Sequence, residues 1–201
     1  MSRGFSTFQP GLYDNDWAGD CTSVALFNCA RGAALVQTGA DIPVAPGAPL
    51  NFYAATVGVP PNRQAIQLTD GTTMLATLDR AASVGVDFGQ QVPLVPLAKA
   101  IDTDNRFALA SALTLGPLYL GVGLALADQE HTTWSTTTPG NQTKGSWGGH
   151  ALMAWDYEGL GDSDTVRLGT WGLWQNATWA WLHERLDEAY TLSWPQLARA
   201  Y

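Results

Sequence analysis

Two short segments near opposite ends of the chain carry residue types that could perform nucleophilic chemistry. Residues 19–23 (GDCTS) place Cys21 directly before an apolar run, and residues 148–152 (GGHAL) place His150 at the start of an apolar stretch about 130 residues later. A thiol and an imidazole so distant in sequence are the pair expected of thiol catalysis, provided that the fold brings them together.

The residues after Cys21 predict a buried helix. Residues 24–36 are apolar on nearly every helical face, which is typical of a helix inside a domain, and Asp20 can cap it. In the first helical turn, free backbone N–H groups favour an anion, so we expect the thiol pKa of Cys21 to fall below its free value of about 8.5. The carboxylate of Asp20 opposes this effect. The alternative is that Cys21 is a small buried apolar residue, as most isolated cysteines are.

The chain resembles the papain-fold (C1-like) cysteine peptidases, in a divergent form similar to small proteins encoded by tailed bacteriophages and prophages. The stretches that carry the resemblance span nearly the whole chain: 19–22 (GDCT), 118–123 (LYLGVG), 148–151 (GGHA), 170–172 (TWG) and 187–190 (DEAY). The resemblance implies an α+β fold of two lobes with a cleft between them. It also implies one domain over 1–201, with a helix-rich lobe at about 14–116 and an antiparallel strand-rich lobe at about 117–201.

The resemblance also implies roles for individual residues. Cys21 takes the position of the nucleophile and His150 that of the general base. Asn15 lies six residues before Cys21, where the family usually carries a Gln whose amide helps to bind the oxyanion.

The position that orients the imidazole departs from the family pattern. Where the family carries Asn-Ser-Trp-Gly, this chain reads Gly169-Thr170-Trp171-Gly172. Gly169 has no side chain to hold His150, so Thr170 and Trp171 are the candidate orienting residues. A base with unfixed orientation can lose orders of magnitude in rate.

Periodicity and turn residues predict that helices dominate the first half and strands the second. The predicted helices are 24–36, 51–57, 73–84 and 105–115, the last capped by Asp104, and the predicted extended segments are 92–101, 118–126, 151–157, 165–171 and 188–193. Cys21 and His150 would then meet only across a cleft between the two parts, where ligands commonly bind.

Composition excludes several classes of partner. The chain of 201 residues is 46% apolar, enough for a substantial core, and its net charge of -8 with few, scattered Lys and Arg argues against nucleic acid or an anionic membrane. No apolar run reaches the roughly 20 residues of a membrane span, and residues 1–10 lack the apolar core of a signal peptide. We therefore expect synthesis in the cytoplasm, and the phage resemblance implies that this is a host cell, with the virion as a further location.

The remaining candidate site residues favour structural roles. His131 lies in a polar loop, His183 on a predicted solvated helix, and the acidic segment 159–164 has too few ligands for calcium and is typical of a turn. Cys29 would lie about 12 Å from Cys21 along one helix, too far for a disulfide, and is predicted to pack in the core. No metal and no cofactor are predicted.

Aromatic residues concentrate near the C-terminal end. Eight of the nine Trp residues follow position 130. Core packing is the simplest interpretation of such a cluster, and a protein-binding or sugar-stacking surface is the alternative.

Two functions from different classes remain open. The first is a cysteine hydrolase that cleaves a peptide or amide substrate. The second is a catalytically silent papain fold that serves as a structural or accessory part of a phage particle, with other phage structural proteins as its partners.

Overall fold

The computed structural model describes residues 8–89, 92–129 and 132–199. Within these ranges the α-helices are α1 (Cys21–Thr38), α2 (Ala48–Val57), α3 (Arg63–Ile66), α4 (Met74–Val84), α5 (Arg106–Leu115) and α6 (Trp179–Arg185). Short 3-10 turns follow at Leu126–Asp128 and Leu197–Arg199. None of these helices is long and apolar enough to cross a bilayer.

Seven strands of the described ranges form one sheet. They are β1 (Leu97–Ala100), β2 (Leu118–Leu124), β3 (Thr133–Trp134), β4 (Gly148–Tyr157), β5 (Thr165–Thr170), β6 (Leu173–Thr178) and β7 (Leu186–Ser193). Their order across the sheet is β1-β7-β2-β4-β5-β6-β3, and all neighbours are antiparallel except β3 and β6. The α+β class expected from the sequence is confirmed, although β1 and α6 cross the expected division into a helical and a strand-rich half.

The sheet separates two apolar clusters because side chains alternate between its faces. In β2, Tyr119 joins the cluster that packs against α1, whereas Leu118, Leu120 and Val122 join the cluster under α5 and α6. α1 lies close to β4 because Gly32 has no side chain, and a Cβ there would be 2.7 Å from the Trp155 ring.

The Trp-rich end of the chain mostly fills these two clusters. The buried members are Trp134, Trp155, Trp179, Trp181 and Trp194, as the core interpretation predicted, while Trp147 keeps 37% of its surface exposed. Cys29 is fully buried and both cysteines are free, which confirms the expectation of core packing without a disulfide.

Several details of the sequence prediction were wrong. Asp20 occupies the N-cap position of α1, but its carboxyl makes no capping hydrogen bond because it accepts the side-chain amide of Asn15 instead. Asn105, not Asp104, caps α5 by accepting the Ala108 N–H. Strands β3 and β6 and the single-turn helix α3 were missed, and α2 begins at Ala48, three residues earlier than expected.

Candidate active site

Cys21 begins α1, and the sheet anchors this end of the helix. The Tyr119 hydroxyl of β2 donates a 2.9 Å hydrogen bond to the Thr22 carbonyl. The backbone N–H groups of Ala151, Thr22 and Cys21 itself act on the sulfur and lower its pKa, but burial is the larger effect and raises it. The expectation of a lowered thiol pKa was therefore wrong, because desolvation of the thiolate outweighs the helix N-terminus.

His150 lies near the start of β4 and is held by two side chains. Its Nε2 atom lies 2.6 Å from the hydroxyl oxygen of Thr170, and its ring stacks on Trp171 with centroids 4.3 Å apart and planes 18° apart. Burial lowers the pKa of His150 to about 4, so the imidazole is neutral at neutral pH. The two candidate orienting residues thus both contact the imidazole.

The indole of Trp171 reaches His150 through an uncommon backbone conformation. Trp171 has a φ of 47° directly after β5, in the left-handed region that few non-glycine residues adopt. Strain of this kind clusters at functional sites. A second aromatic ring, that of the partly exposed Trp147, is tilted by 36° to the Trp171 ring, with the two ring centroids 5.4 Å apart.

Cys21 and His150 line the same open cleft. Its volume is about 400 Å³, and its other walls come from the start of α1, the segment 69–74, β2, the start of β4 and the start of β7. Since the Ala151 N–H acts on the Cys21 sulfur, the thiol lies against the residue that follows His150. Both segments thus line one cleft, the thiol and the imidazole are neutral in the resting protein, and their action as a catalytic pair stays a prediction.

Asn15 is close to Cys21 in the chain but its amide has other partners. The Asn15 Nδ2 atom donates to the Ala18 carbonyl at 3.2 Å and to Asp20 Oδ1 at 3.1 Å. These two bonds account for both protons of the amide. Asn15 is also not among the residues that line the cleft.

Asp20, the partner of Asn15, is a buried acid next to the nucleophile. It has no exposed surface, and its second oxygen, Oδ2, has no hydrogen-bond partner among the described residues. Burial, opposed by the Asn15 hydrogen bond, raises the pKa of Asp20 to about 7. Asp20 therefore carries a proton through most of the acidic range.

Gly169 faces away from His150. A Cβ at this position would lie 2.8 Å from the Met153 methyl and 2.9 Å from Pro10 Cγ, on the side of the sheet that packs against α1. Because side chains alternate along a strand, Thr170 points to the opposite side, where it meets His150. A side chain at position 169 would therefore not contact His150, and its absence removes no partner from the imidazole.

The secondary candidates are not part of the cleft. His183 is exposed on α6, and the segment 159–164 is a turn in which Asp162 pairs with Arg106 at 2.6 Å, both as expected. His131 lies outside the described residues. A larger cavity of about 540 Å³ lies beside α5 and α6 and includes His183, but neither Cys21 nor His150 lines it. The described residues contain no cluster of metal-ligating side chains.

Sequence reasoning missed three further residues that line the cleft. Gly121, Met74 and Glu188 line it. The segments that contain Gly121 and Glu188 carry the family resemblance, yet only the strand register places these two residues side by side.

Comparison with known proteins supports the fold. The sequence matches no protein-family model and no curated protein. Among solved structures, the chain is similar to xylellain, a cysteine protease from Xylella fastidiosa, with 14% identity, a TM-score of 0.67 and coverage of 93% of this chain and 83% of that one. It is also similar to procathepsin L 3 of Tenebrio molitor larval midgut, with 12% identity, a TM-score of 0.65 and coverage of 96% and 73%.

A third similar structure is the Carica candamarcensis cysteine protease CMS1MS2 in complex with E-64. Its identity is 14%, its TM-score is 0.64, and the coverage is 88% of this chain and 89% of that one. At such identities the likeness concerns the fold. The chain therefore has the α+β fold of the papain-like cysteine proteases.

Proposed function

We propose that this protein is a cysteine hydrolase that cleaves a peptide or amide bond with Cys21 as the nucleophile and His150 as the general base. The observation that carries the proposal is that both side chains line one open cleft, with the thiol against the residue after His150. The papain-like fold supports a hydrolase of this class, and its protease neighbours suggest a peptide substrate.

The hydrogen bond to Thr170 engages Nε2 of His150, and the proposed mechanism uses the tautomer with its proton on this nitrogen. If Nε2–H donates to the Thr170 hydroxyl, Nδ1 keeps a free lone pair and can take the thiol proton. The Cys21 sulfur then attacks the substrate carbonyl carbon, the C–S bond forms, and the carbonyl oxygen becomes an oxyanion.

The remaining steps return both residues to their starting state. The imidazolium gives its proton to the leaving amine as the C–N bond breaks, and a thioester remains on Cys21. Water, deprotonated by His150, then attacks the thioester, the acid leaves, and the thiol recovers its proton. The proposed backbone donor to the oxyanion is the Cys21 N–H in the first turn of α1, which acts on the sulfur in the resting protein.

The pKa values of the two groups predict how the thiol is activated. Burial raises the pKa of Cys21 and lowers that of His150 to about 4, so the resting pair is a neutral thiol and a neutral imidazole. We therefore propose general-base catalysis, in which the proton leaves the sulfur as the substrate is attacked, rather than a preformed thiolate–imidazolium pair.

A catalytically silent papain fold is the second candidate, and the amide of Asn15 favours it. Both Nδ2 protons are donated to Ala18 and Asp20, so the family's side-chain oxyanion donor would have to exchange partners before it could act. In this alternative the protein is a structural or accessory part of a phage particle and binds other phage proteins, in the virion or in the host cytoplasm. Asn15 as an oxyanion donor stays a prediction.

Amide hydrolysis by matched variants separates the two candidates. The wild type should release amine from a peptide library, and Cys21→Ala and His150→Gln should each reduce the rate to background. Cys29→Ala and His183→Gln should leave it unchanged, since Cys29 is core and His183 lies outside the cleft. If wild type and Cys21→Ala give equal rates while thermal melting shows both folded, the silent fold replaces the hydrolase.

A further inference from the structure

The Trp171 indole that stacks on His150 is backed by two further indoles. The Trp134 ring meets the Trp171 ring edge to face, with centroids 6.3 Å apart and planes at 85°, and the Trp181 ring stacks on Trp134 with centroids 4.8 Å apart. Trp134 and Trp181 are both buried. The imidazole and the three indoles thus form one continuous aromatic column that begins in the cleft and ends on α6.

The inner end of this aromatic column is tied to one buried carboxylate, that of Asp128. Its Oδ1 accepts the Trp181 indole N–H at 2.8 Å, and its backbone carbonyl accepts the Trp134 indole N–H at 2.7 Å. Its Oδ2 accepts the Ala125 N–H at 2.7 Å and the Arg185 Nε–H at 3.1 Å. Both carboxylate oxygens are therefore engaged, and Asp128 fixes the two inner indoles from a single point.

Arg185 supplies the opposite charge beside this carboxylate. The side chains of Arg185 and Asp128 keep at most 1% of their surface exposed, and the guanidinium also contacts Glu184 and Gln142. Desolvation makes a buried ion pair costly, so an apolar pair of similar volume often stabilises a core as well or better. What this ion pair adds is a defined position for the groups that are bonded to it.

The backbone of Trp171 needs a support of this kind. Its φ of 47° is strained for a non-glycine residue, and such strain persists only where the surrounding structure holds it. Of its aromatic neighbours, Trp147 is partly exposed, whereas Trp134 is buried and hydrogen-bonded. Trp134 is therefore the rigid support of the Trp171 indole.

We propose that Asp128 is a positioning residue for His150. It fixes Trp134 and Trp181, and Trp134 in turn keeps the Trp171 indole against the imidazole. The covered imidazole is shielded from water and stays bonded to Thr170. This inference rests on the proposed hydrolase, because it concerns the general base of the same site.

The protonation of His150 in the full-length protein measures this support without any need for catalysis. The imidazole Cε1–H signal, assigned with His150→Gln, is followed by ¹H–¹³C NMR during a pH titration. Trp171→Ala uncovers the ring and should raise the pKa of His150 from about 4 towards 6.5. Asp128→Asn should raise it by about one pKa unit or more, because water enters a loosened stack.

The sign of this change separates positioning from simple electrostatics. A carboxylate favours the imidazolium, so the loss of the Asp128 charge without any movement would lower the pKa of His150. The unpaired guanidinium of Arg185 would lower it further. A rise therefore reports a looser stack.

Two matched substitutions on α6 separate positioning from stability. Trp181→Phe keeps an aromatic ring but removes the N–H that bonds Asp128, and Trp179→Phe removes an N–H that bonds a backbone carbonyl at 3.1 Å. Both indoles are buried in the same apolar cluster, so both substitutions should lower Tm. Only Trp181→Phe should raise the pKa of His150.

Each outcome decides the inference. An unchanged pKa of His150 in Trp181→Phe, or an equal rise in Trp179→Phe, overturns it, and this comparison holds even where Asp128→Asn does not fold. An unchanged or lower pKa in folded Asp128→Asn also overturns it. A rise confined to the Asp128 and Trp181 variants, in a protein with no Cys21-dependent cleavage, supports the positioning and refutes the hydrolase instead.

Discussion

Replacing Asp20 by Asn should uncover a pH dependence of stability that the wild-type protein conceals. Asp20 and His150 are both buried beside the cleft, and burial favours the neutral form of each. The neutral form of an acid carries a proton and that of an imidazole lacks one. The two residues therefore link proton binding to folding with opposite signs.

The contribution of Asp20 falls as pH rises. Between pH 3.8 and about 7 the folded protein holds a proton on Asp20 that the unfolded chain has lost, so the free energy of unfolding decreases across this window. A rise in pKa from 3.8 to about 7 is worth roughly 4 kcal/mol at 1.36 kcal/mol per pKa unit.

The contribution of His150 runs the other way. Between pH 6.5 and about 4 the unfolded chain binds a proton that the folded protein does not, so stability is present above pH 6.5 and is lost as pH falls. The lowering from 6.5 to about 4 is worth roughly 3 kcal/mol. In the wild type the two slopes nearly cancel from about pH 4 to 6.5.

Urea unfolding at half-unit steps from pH 4 to 8 measures the effect. Asp20→Asn keeps an oxygen for the Asn15 amide, and its free energy of unfolding should rise by roughly 3 kcal/mol between pH 4 and 6.5 relative to the wild-type curve. His150→Gln should show the opposite slope. Asp162→Asn, which removes an exposed carboxylate, should run parallel to wild type. If Asp20→Asn also runs parallel to wild type, the assignment of a proton to Asp20 is refuted.

Four further expectations concern the residues around the thiol. Thr170→Val should lower kcat/KM about tenfold to a hundredfold because Nε2 of His150 loses its buried partner, while Thr170→Ser should retain activity; equal rates for Val and Ser would contradict this. Iodoacetamide should label Cys21 at a rate that climbs through the alkaline range, whereas a plateau from pH 4 to 8 would reveal an ion pair instead. Asn15→Ala should lower kcat by less than the ~10²-fold or greater loss that follows removal of an engaged oxyanion donor. A loss of that size in a folded variant would show that the Asn15 amide changes partners during catalysis. Gly169→Asn should lower the free energy of unfolding in urea by about 1–3 kcal/mol without a gain in activity, because the new side chain enters packed core. Faster hydrolysis would refute the conclusion that position 169 faces away from His150.

Much of the fold follows from local sequence patterns. The apolar run after Cys21 and the segments 118–126 and 151–157 are strongly periodic or apolar, and each became the expected element. The missed strand β6 carries Trp, Gln, Asn and Thr, and five of its six positions are exposed or half-exposed, so its hydrophobic alternation is weak. It is a strand because β5 supplies a hydrogen-bonding edge, which a local pattern does not contain.

Ionisation states were less predictable than positions. The sequence placed Cys21 at a helix N-terminus, which alone would lower its pKa. How deeply the thiol is buried depends on how α1 meets the sheet, and that contact rests on Gly32 and on the Tyr119 hydrogen bond from distant parts of the chain. The same tertiary packing buries Asp20, a residue that the sequence predicts to cap the helix.

The residue that orients His150 illustrates the limit of motif alignment. Anchoring on Trp171-Gly172 puts Gly169 at the family's Asn position, yet strand alternation turns position 169 towards Met153 and Pro10. Thr170 is on the correct face, and its hydroxyl meets Nε2 at 2.6 Å while the turn at Trp171 lays the indole on the ring. The side chain that faces the imidazole thus comes one residue later than the alignment suggests. The apparent loss of the Asn is a replacement of its amide by the Thr170 hydroxyl. The orientation of the base depends on the strand register, and the missing Asn is not by itself a reason to regard the site as silent.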